Sequence, residues 1–263
     1  MNFLVKKGNG LAGEISIPGD KSISHRSIIL ASLAEGSSRI YGLLEGEDCL
    51  ATIEVFKKMG VGISLKDGIC LVDGKGIEGL KEPDQVLDFG NSGTSVRLCA
   101  GLLSAQRFSS VLIGDESLST RPMQRIVDPL TAMGANISAS DKGTLPITIN
   151  SVKSLQSIEY SLPVASAQVK SCLMLAGLFA EGETRIIENV ITRDHTEKIF
   201  LEFGIPIEIF SEKTFKTICV NKIQRIEPKD IRVPGDFSSA SFFILAALIC
   251  PNSALVKIPA LSN

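Results

Sequence analysis

Groups suited to binding a small anion occur at the starts of several predicted helices. Lys21, Ser22 and Arg26 lie within about one and a half helical turns at the first start, and Asn91 and Gly93 precede the second. Hydroxyl, amide and cationic donors there would add to the unpaired N–H groups of a helix N-terminus, which favour negative charge. The pattern predicts a site for a phosphorylated or carboxylated ligand. Simple capping by Ser and Asn explains the same residues, and spacing alone leaves both interpretations open.

Two further predicted helix starts carry cations. Arg121 lies just before Pro122, which is suited to open a helix, and a cation there opposes the helix dipole unless an anion is bound. Ser-Ala-Gln at 166–168 precedes Lys170 at the other start. The convergence of such starts would place several anion-binding groups around one ligand.

The segment T-R-D-H-T-E-K contains a fifth candidate. Asp194 or Thr192 is predicted to be a helix N-cap, with Glu197 supporting it in a capping box. His195 is interpreted as a capping or core residue. Capping leaves Arg193 unexplained, which makes it a candidate ligand-binding residue.

An internal repeat organises these starts. Four segments, 19–36, 89–106, 163–182 and 234–252, each pass from a polar turn into an apolar helix. Their corresponding residues Ser22, Asn91, Ser166 and Ser238 are 69, 75 and 72 residues apart. A β-prone run follows each of these helices. In the first three units a second amphipathic helix comes next and is stopped by Gly. One unit therefore predicts βαβαββ, with helices inside and sheets outside or the reverse. The fourth unit, where Asp236, Ser238 and Ser239 are interpreted as caps, is expected to be incomplete.

Composition narrows the function classes. The 263 residues carry a net charge of −2, which argues against a general nucleic-acid binder. Apolar runs are far shorter than the roughly 20 residues that span a bilayer, and no secretory signal is recognised, so we expect a cytoplasmic protein. The six dispersed cysteines are interpreted as buried thiols. The two histidines lack metal-ligand spacing, so no metal is expected.

Six motifs in order resemble the 5-enolpyruvylshikimate-3-phosphate synthases: G-D-K-S-I-S-H-R (19–26), G-N-S-G-T-S-V-R (90–97), S-T-R-P-M (119–123), A-S-A-Q-V-K-S (165–171), T-R-D-H-T-E-K (192–198) and P-G-D-F-S-S-A (234–240). The resemblance implies an α/β fold of the α+β type, in which six βαβαββ units form two three-unit domains. It also implies a division into residues 1–13 and 226–263, belonging to an incomplete domain, and 14–225, forming a complete one.

The activity implied by the resemblance is transfer of the enolpyruvyl group of phosphoenolpyruvate to the 5-hydroxyl of shikimate 3-phosphate. The reaction belongs to chorismate and aromatic amino-acid biosynthesis and uses no organic cofactor. The implied contacts with shikimate 3-phosphate come from Lys21, Ser22, Arg26, Ser166, Ala167, Gln168 and Arg193. Those implied with phosphoenolpyruvate come from Lys21, Asn91, Gly93, Thr94, Arg121 and Gln168.

Lys21 is expected to transfer a proton, because it can lie between both substrates. Some family members tolerate the inhibitor glyphosate through an Ala where this chain has Gly93, so this loop is expected to admit it. Full-length relatives are expected to be monomers, while this chain is expected to be prone to self-association.

The catalytic Asp and Glu of the family lie in later repeats that this sequence does not contain. We therefore expect an enzyme chain that is inactive alone. Two alternatives stay open at this point: a half-enzyme that needs a complementing chain, and a module that only binds shikimate 3-phosphate.

Overall fold

A computed structural model describes residues 10–212, 215–250 and 256–257. The helices described are α1 (Lys21–Leu33), α2 (Glu47–Lys58), α3 (Gly93–Leu103), α4 (Glu116–Ser119), α5 (Gln124–Ala132), α6 (Ala167–Gly177), α7 (His195–Glu202) and α8 (Phe237–Ile249). The paired helix predicted in each of the first three units is therefore present. The short α4 is an addition that the repeat pattern does not predict.

Strands follow the helices in the order expected for mixed α+β units. They are β1 (Gly13–Glu14), β2 (Glu35–Tyr41), β3 (Gly62–Lys66), β4 (Ile69–Lys75), β5 (Leu87–Asp88), β6 (Ser110–Ile113), β7 (Asn136–Ser138), β8 (Ile147–Asn150), β9 (Glu159–Ser161), β10 (Thr184–Glu188), β11 (Ile207–Ser211), β12 (Lys216–Val220), β13 (Ile231–Arg232) and β14 (Val256–Lys257). Three four-stranded sheets result, with the orders β13-β2-β4-β3, β5-β6-β8-β7 and β9-β10-β12-β11.

The three sheets share one pattern, which confirms the repeat. In each, a short first strand pairs in parallel with the second, and the remaining pairings are antiparallel. The first sheet, however, takes its short strand from far along the chain: Ile231 pairs with Ile40 and Arg232 with Tyr41. The strand that precedes α1, β1, pairs instead with β14. The first and fourth units have thus exchanged their first strands.

The helices lie inside and the sheets outside, which settles the alternative that the sequence left open. Helices α1, α3 and α6 are buried over almost their whole length, as their apolar sequences require. Strands such as β4 alternate between buried and exposed residues, so each sheet covers the helices with one face. Helix α8, the counterpart of α1 in the fourth unit, is apolar too, yet Ala240 is its one buried residue within the described part of the chain.

The proposed domain division stays a prediction. Residues 1–9 lie outside the described part of the chain. Within the 226–263 segment, β13 pairs with β2 of the first repeat and β14 pairs with β1, so the segment contacts residues on both sides of the predicted boundary at residue 13. Cys49, Cys70, Cys99, Cys172 and Cys219 are buried thiols as expected, and Cys250 is partly exposed. Within the described residues, no helix combines the length and apolar character needed to cross a membrane.

Backbone contact between α3 and α6 sets how closely the central helices approach. At Gly101 a Cβ atom would lie 2.1 Å from the carbonyl oxygen of Cys172, well inside contact distance. Only glycine allows this approach. The packing at Gly101 also helps to set the distance between the N-termini of α3 and α6. This distance matters for the site, because both termini carry candidate site residues.

We predict that Gly101→Ala lowers the free energy of unfolding by about 3 kcal/mol, because the methyl group forces the two helices apart. Gly177→Ala is the matched control on α6, where the new Cβ would lie 3.2 Å from Thr184 Cβ and a small shift suffices. Its strain is offset by the higher helix propensity of alanine, worth about 1 kcal/mol. Urea denaturation of both variants measures the difference; equal stabilities would contradict a close α3–α6 contact.

Candidate anion-binding cleft

Several helix N-termini meet at one cleft of about 430 Å³. Its lining comprises Asp20, Lys21, Ser22, Asp48, Asn91, Gly93, Thr94, Arg121, Gln168, Arg193, Asp236 and Ser238. These residues come from the starts of α1, α2, α3, α6 and α8 and from the segments before α5 and α7. The sequence-predicted convergence of helix starts is therefore what the structure shows.

The α1 side of the cleft is built around Lys21. Asp20 caps the helix, its Oδ1 accepting the Ile23 N–H at 2.9 Å, and the first turn of α1 holds no acidic residue. Lys21 Nζ lies 3.0 Å from Asp48 Oδ2 in the first turn of α2, and about half of the Lys21 side chain is exposed. One of its three N–H donors is thus used, and the ammonium faces the cleft with the positive end of α1.

The α3 side of the cleft is organised by Asn91. Its Nδ2 donates to Asp115 Oδ2 at 2.8 Å, while its Oδ1 accepts from Arg121 Nη2. Ser117 Oγ accepts a further Arg121 bond at 3.3 Å. Arg121 lies between α4 and α5. Helix α5 begins at Gln124, two residues later than the predicted start at Pro122. The guanidinium is nevertheless held at the cleft.

Gly93 is required by close approach rather than by its backbone angles. A Cβ there would lie 2.9 Å from Arg97 Nη1 and 3.0 Å from Arg121 Nη1. A glycine at this position suggests either a close approach or a positive φ. Gly93 is not among the glycines with positive φ, so the positive φ is ruled out. Glycine leaves room for both guanidinium groups beside the N-terminus of α3.

Arg97 supports the cleft from behind, and the sequence analysis did not single it out. It is buried, and it donates from Nη1 to Gln168 Oε1 at 2.7 Å and from Nη2 to the Pro122 carbonyl at 3.1 Å. Gln168 in turn donates to Thr94 Oγ1 at 3.1 Å. Burial, with the charges of Arg125 and Arg121, lowers the Arg97 pKa to about 10, still cationic at neutral pH. Its place four residues after Gly93 was the available signal.

Arg26 lies behind the cleft rather than in its lining. Its Nε donates to Thr196 Oγ1 at 2.6 Å, its Nη1 to the Ser22 carbonyl at 2.8 Å and its Nη2 to Ser171 Oγ at 2.7 Å. Two of its five N–H groups thus hold α1 against α6 and α7, and a third donates within α1. Desolvation lowers its pKa to about 10, so the group stays charged.

Ser166 and Ala167 also stand at the edge of the site without lining the cleft. Ser166 Oγ caps α6 by accepting the Val169 N–H at 3.3 Å. Ligand contacts from Arg26, Ser166 and Ala167 stay predictions. Lys170, one turn further along α6, is wholly buried and is not a cleft cation as its position had suggested.

The capping box expected before α7 is wrong. Asp194 is the N-cap residue but its side chain makes no capping hydrogen bond, and it lies 3.1 Å from Lys198 Nζ instead. Glu197 is buried and contacts Lys170 and Lys216. His195 is a buried residue, as one of the two interpretations held. Arg193 lines the cleft just before the helix begins.

Carboxylates form the part of the lining that sequence reasoning did not place. Asp236 accepts the Ser238 N–H at 2.8 Å and the Ser239 hydroxyl at 3.2 Å, so the predicted capping is confirmed, and the same cap faces the cleft. The lining balances three cations against three carboxylates: Lys21, Arg121 and Arg193 against Asp20, Asp48 and Asp236. Binding of an anion therefore depends on placement of the donors rather than on excess charge.

A buried hydrogen-bond network around His25 connects α1 with α2 and α3. His25 Nδ1 lies 2.8 Å from Thr52 Oγ1, and Nε2 lies 3.2 Å from Ser92 Oγ, which caps α3. A proton on Nδ1 donates to Thr52 and leaves Nε2 to accept the Ser92 hydroxyl, while Ser92 Oγ accepts the Ser95 N–H at 3.2 Å. In a doubly protonated ring Nε2 carries a proton, so it could no longer accept the Ser92 hydroxyl. Burial lowers the His25 pKa to about 3, so the ring is neutral.

Comparisons with known proteins identify similar chains. Residues 5–260 match the family model of EPSP synthase (3-phosphoshikimate 1-carboxyvinyltransferase). The 3-phosphoshikimate 1-carboxyvinyltransferases of Alkalilimnicola ehrlichii and Bacillus cereus are 50% and 51% identical over 96% and 94% of this chain. A solved EPSP synthase from Acinetobacter baumannii superimposes with a TM-score of 0.89, at 47% identity over 97% of this chain. This chain spans 56% to 57% of the length of these relatives.

His25 predicts a loss of stability in acid. Its folded pKa of about 3 lies below the ordinary 6.5, so between these values the unfolded chain binds more protons. Between pH 6.5 and about pH 3, His25 alone should therefore lower the free energy of unfolding by about 1.4 kcal/mol for each unit that the pH falls. Urea denaturation of native chain and His25→Gln, from about pH 7 to about pH 5, measures this, because groups common to both cancel. A His25 ring that titrates near its ordinary pKa by NMR would contradict the neutral network.

Proposed function

The chain belongs to the EPSP synthase family, and we propose that its cleft binds shikimate 3-phosphate and phosphoenolpyruvate for transfer of the enolpyruvyl group. The observation that carries this proposal is the convergence of the α1, α3 and α6 starts with Lys21, Arg121 and Arg193 at one cleft. Both ligands are small polyanions. N–H groups at helix N-termini and guanidinium forks are the donors that phosphate and carboxylate oxygens prefer.

The two ligands would occupy different sides of the cleft. Arg193, with Ser22 and Gln168, would receive shikimate 3-phosphate from the α1 and α6 side, where Arg26, Ser166 and Ala167 support the wall. Arg121, with Gly93 and Thr94, would receive phosphoenolpyruvate at the start of α3, and Asn91 holds that arginine. Gln168 belongs to both sides, because it bonds to Thr94 and to Arg97.

Lys21 would stand between the two ligands. The transfer forms a bond from the 5-hydroxyl oxygen of shikimate 3-phosphate to the enolpyruvyl carbon and breaks the bond from that carbon to phosphate oxygen. The hydroxyl proton must leave and the phosphate must depart. The Lys21 ammonium, 3.0 Å from Asp48, has donors directed to the cleft that suit proton transfer or charge stabilisation there.

Binding of shikimate 3-phosphate tests the site directly. We predict saturable binding to the 263-residue chain by isothermal titration calorimetry, and weakening by about 10- to 100-fold in Arg193→Gln. The reason is the loss of a charge-assisted hydrogen bond worth about 1.5–3 kcal/mol. Arg107→Gln is the matched control, because Arg107 is an exposed arginine paired with Glu78 away from the cleft. The site assignment fails if both variants bind as tightly as the native chain. Phosphate release that depends on both substrates would test the transfer step itself.

A further inference from the structure

Lys170 occupies a buried position directly beneath the cleft. It lies two residues after Gln168 on α6, and its side chain is 0% exposed. Nζ donates to Glu197 Oε1 at 2.7 Å, to Glu188 Oε2 at 3.1 Å and to the carbonyl oxygen of Arg193 at 3.1 Å. These three bonds use all three N–H groups of an ammonium. None of them is directed at a ligand, so the sequence-based role of a cleft cation does not apply.

Two of the groups in this cluster hold the segment that carries Arg193. The Lys170 ammonium fixes the Arg193 carbonyl, and Glu188 Oε1 accepts the Thr192 hydroxyl at 2.5 Å and the Thr192 N–H at 3.3 Å. The segment 189–194 is largely exposed and lies between β10 and α7. Its attachment to the buried interior therefore passes through Lys170 and Glu188, immediately behind the arginine that lines the cleft.

The charges of the cluster make this attachment rigid. Lys216 Nζ lies 3.0 Å from Glu197 Oε1, so Lys170, Lys216, Glu188 and Glu197 form a buried group without net charge. A buried ion is stable only with its partners in place, and removing one partner leaves the others uncompensated. The Arg193 carbonyl is the neutral oxygen that completes the Lys170 donor set. Displacing the segment would leave one ammonium N–H without an acceptor.

We propose that Lys170 is a positioning residue that holds the Arg193 backbone so that the guanidinium meets the phosphate of the bound ligand. This inference rests on the proposed function of the cleft. It assigns to the buried ammonium a role in ligand affinity, exerted through Arg193, in addition to its contribution to packing.

The test compares Lys170→Met with Lys216→Met. Each variant removes one cation from Glu197 Oε1, but only Lys170 contacts the Arg193 carbonyl. We expect both to lower the melting temperature. Only Lys170→Met should speed amide hydrogen exchange of residues 189–194, measured by mass spectrometry, and weaken shikimate 3-phosphate binding by about tenfold, the loss of one hydrogen bond to a charged group.

A double-mutant cycle distinguishes action through Arg193 from general loosening. In an Arg193→Gln background, Lys170→Met should cause little further loss of affinity. Equal further loss in both backgrounds would overturn the proposal, as would unchanged exchange of residues 189–194. Thr192→Val serves if Lys170→Met does not fold: it removes one tether of the same segment and should change exchange and affinity in the same direction.

The measurements separate this inference from the proposed function. If the native chain does not bind shikimate 3-phosphate, the ligand assignment of the cleft fails, and with it the ligand part of the proposal. If the native chain and Lys216→Met bind and Lys170→Met binds equally well, the positioning role alone fails.

Discussion

At Gly101 the backbone of α3 lies against that of α6, and most of the architecture depends on this kind of close helix packing. Helices α1, α3 and α6 are buried over almost their whole length, so their stability depends on the elements that surround them. The three sheets supply that cover. Because the units repeat, their first helices point the same way, and their N-terminal N–H groups are brought to one end of the body. The cleft is a consequence of packing before it is a consequence of individual side chains.

Polar groups follow the apolar helices into the interior, and each needs a partner there. The neutral His25 ring has a hydroxyl partner at each of its two nitrogens. Around Lys170 it is an ion cluster without net charge. Both clusters lie one layer behind cleft residues, so the same bonds that satisfy buried groups also fix the caps and segments that face a ligand. Stability and site geometry are therefore coupled in this chain.

Local sequence patterns were sufficient for much of this structure. The repeat and the paired helices follow from apolar periodicity, which acts within a few residues, and the cations and amides near the helix starts indicated the cleft positions of Lys21, Asn91 and Arg193. The burial of Arg97 and Lys170 was not readable, because it depends on which elements pack together across the chain. The same limit applies to strand exchange: β13 has an ordinary strand sequence, and nothing in it specifies β2 as its neighbour.

That exchange has a consequence for the order of events during folding. Residues 231–232 complete the sheet that begins at residue 35, and the adjacent Arg39–Asp230 contact spans 191 positions. Pairings between such distant segments form slowly, since a long loop must close before the contact stabilises it. During synthesis β2 therefore has no parallel neighbour on one edge until two further units have emerged from the ribosome. The first unit to be made is the last of the three to be completed.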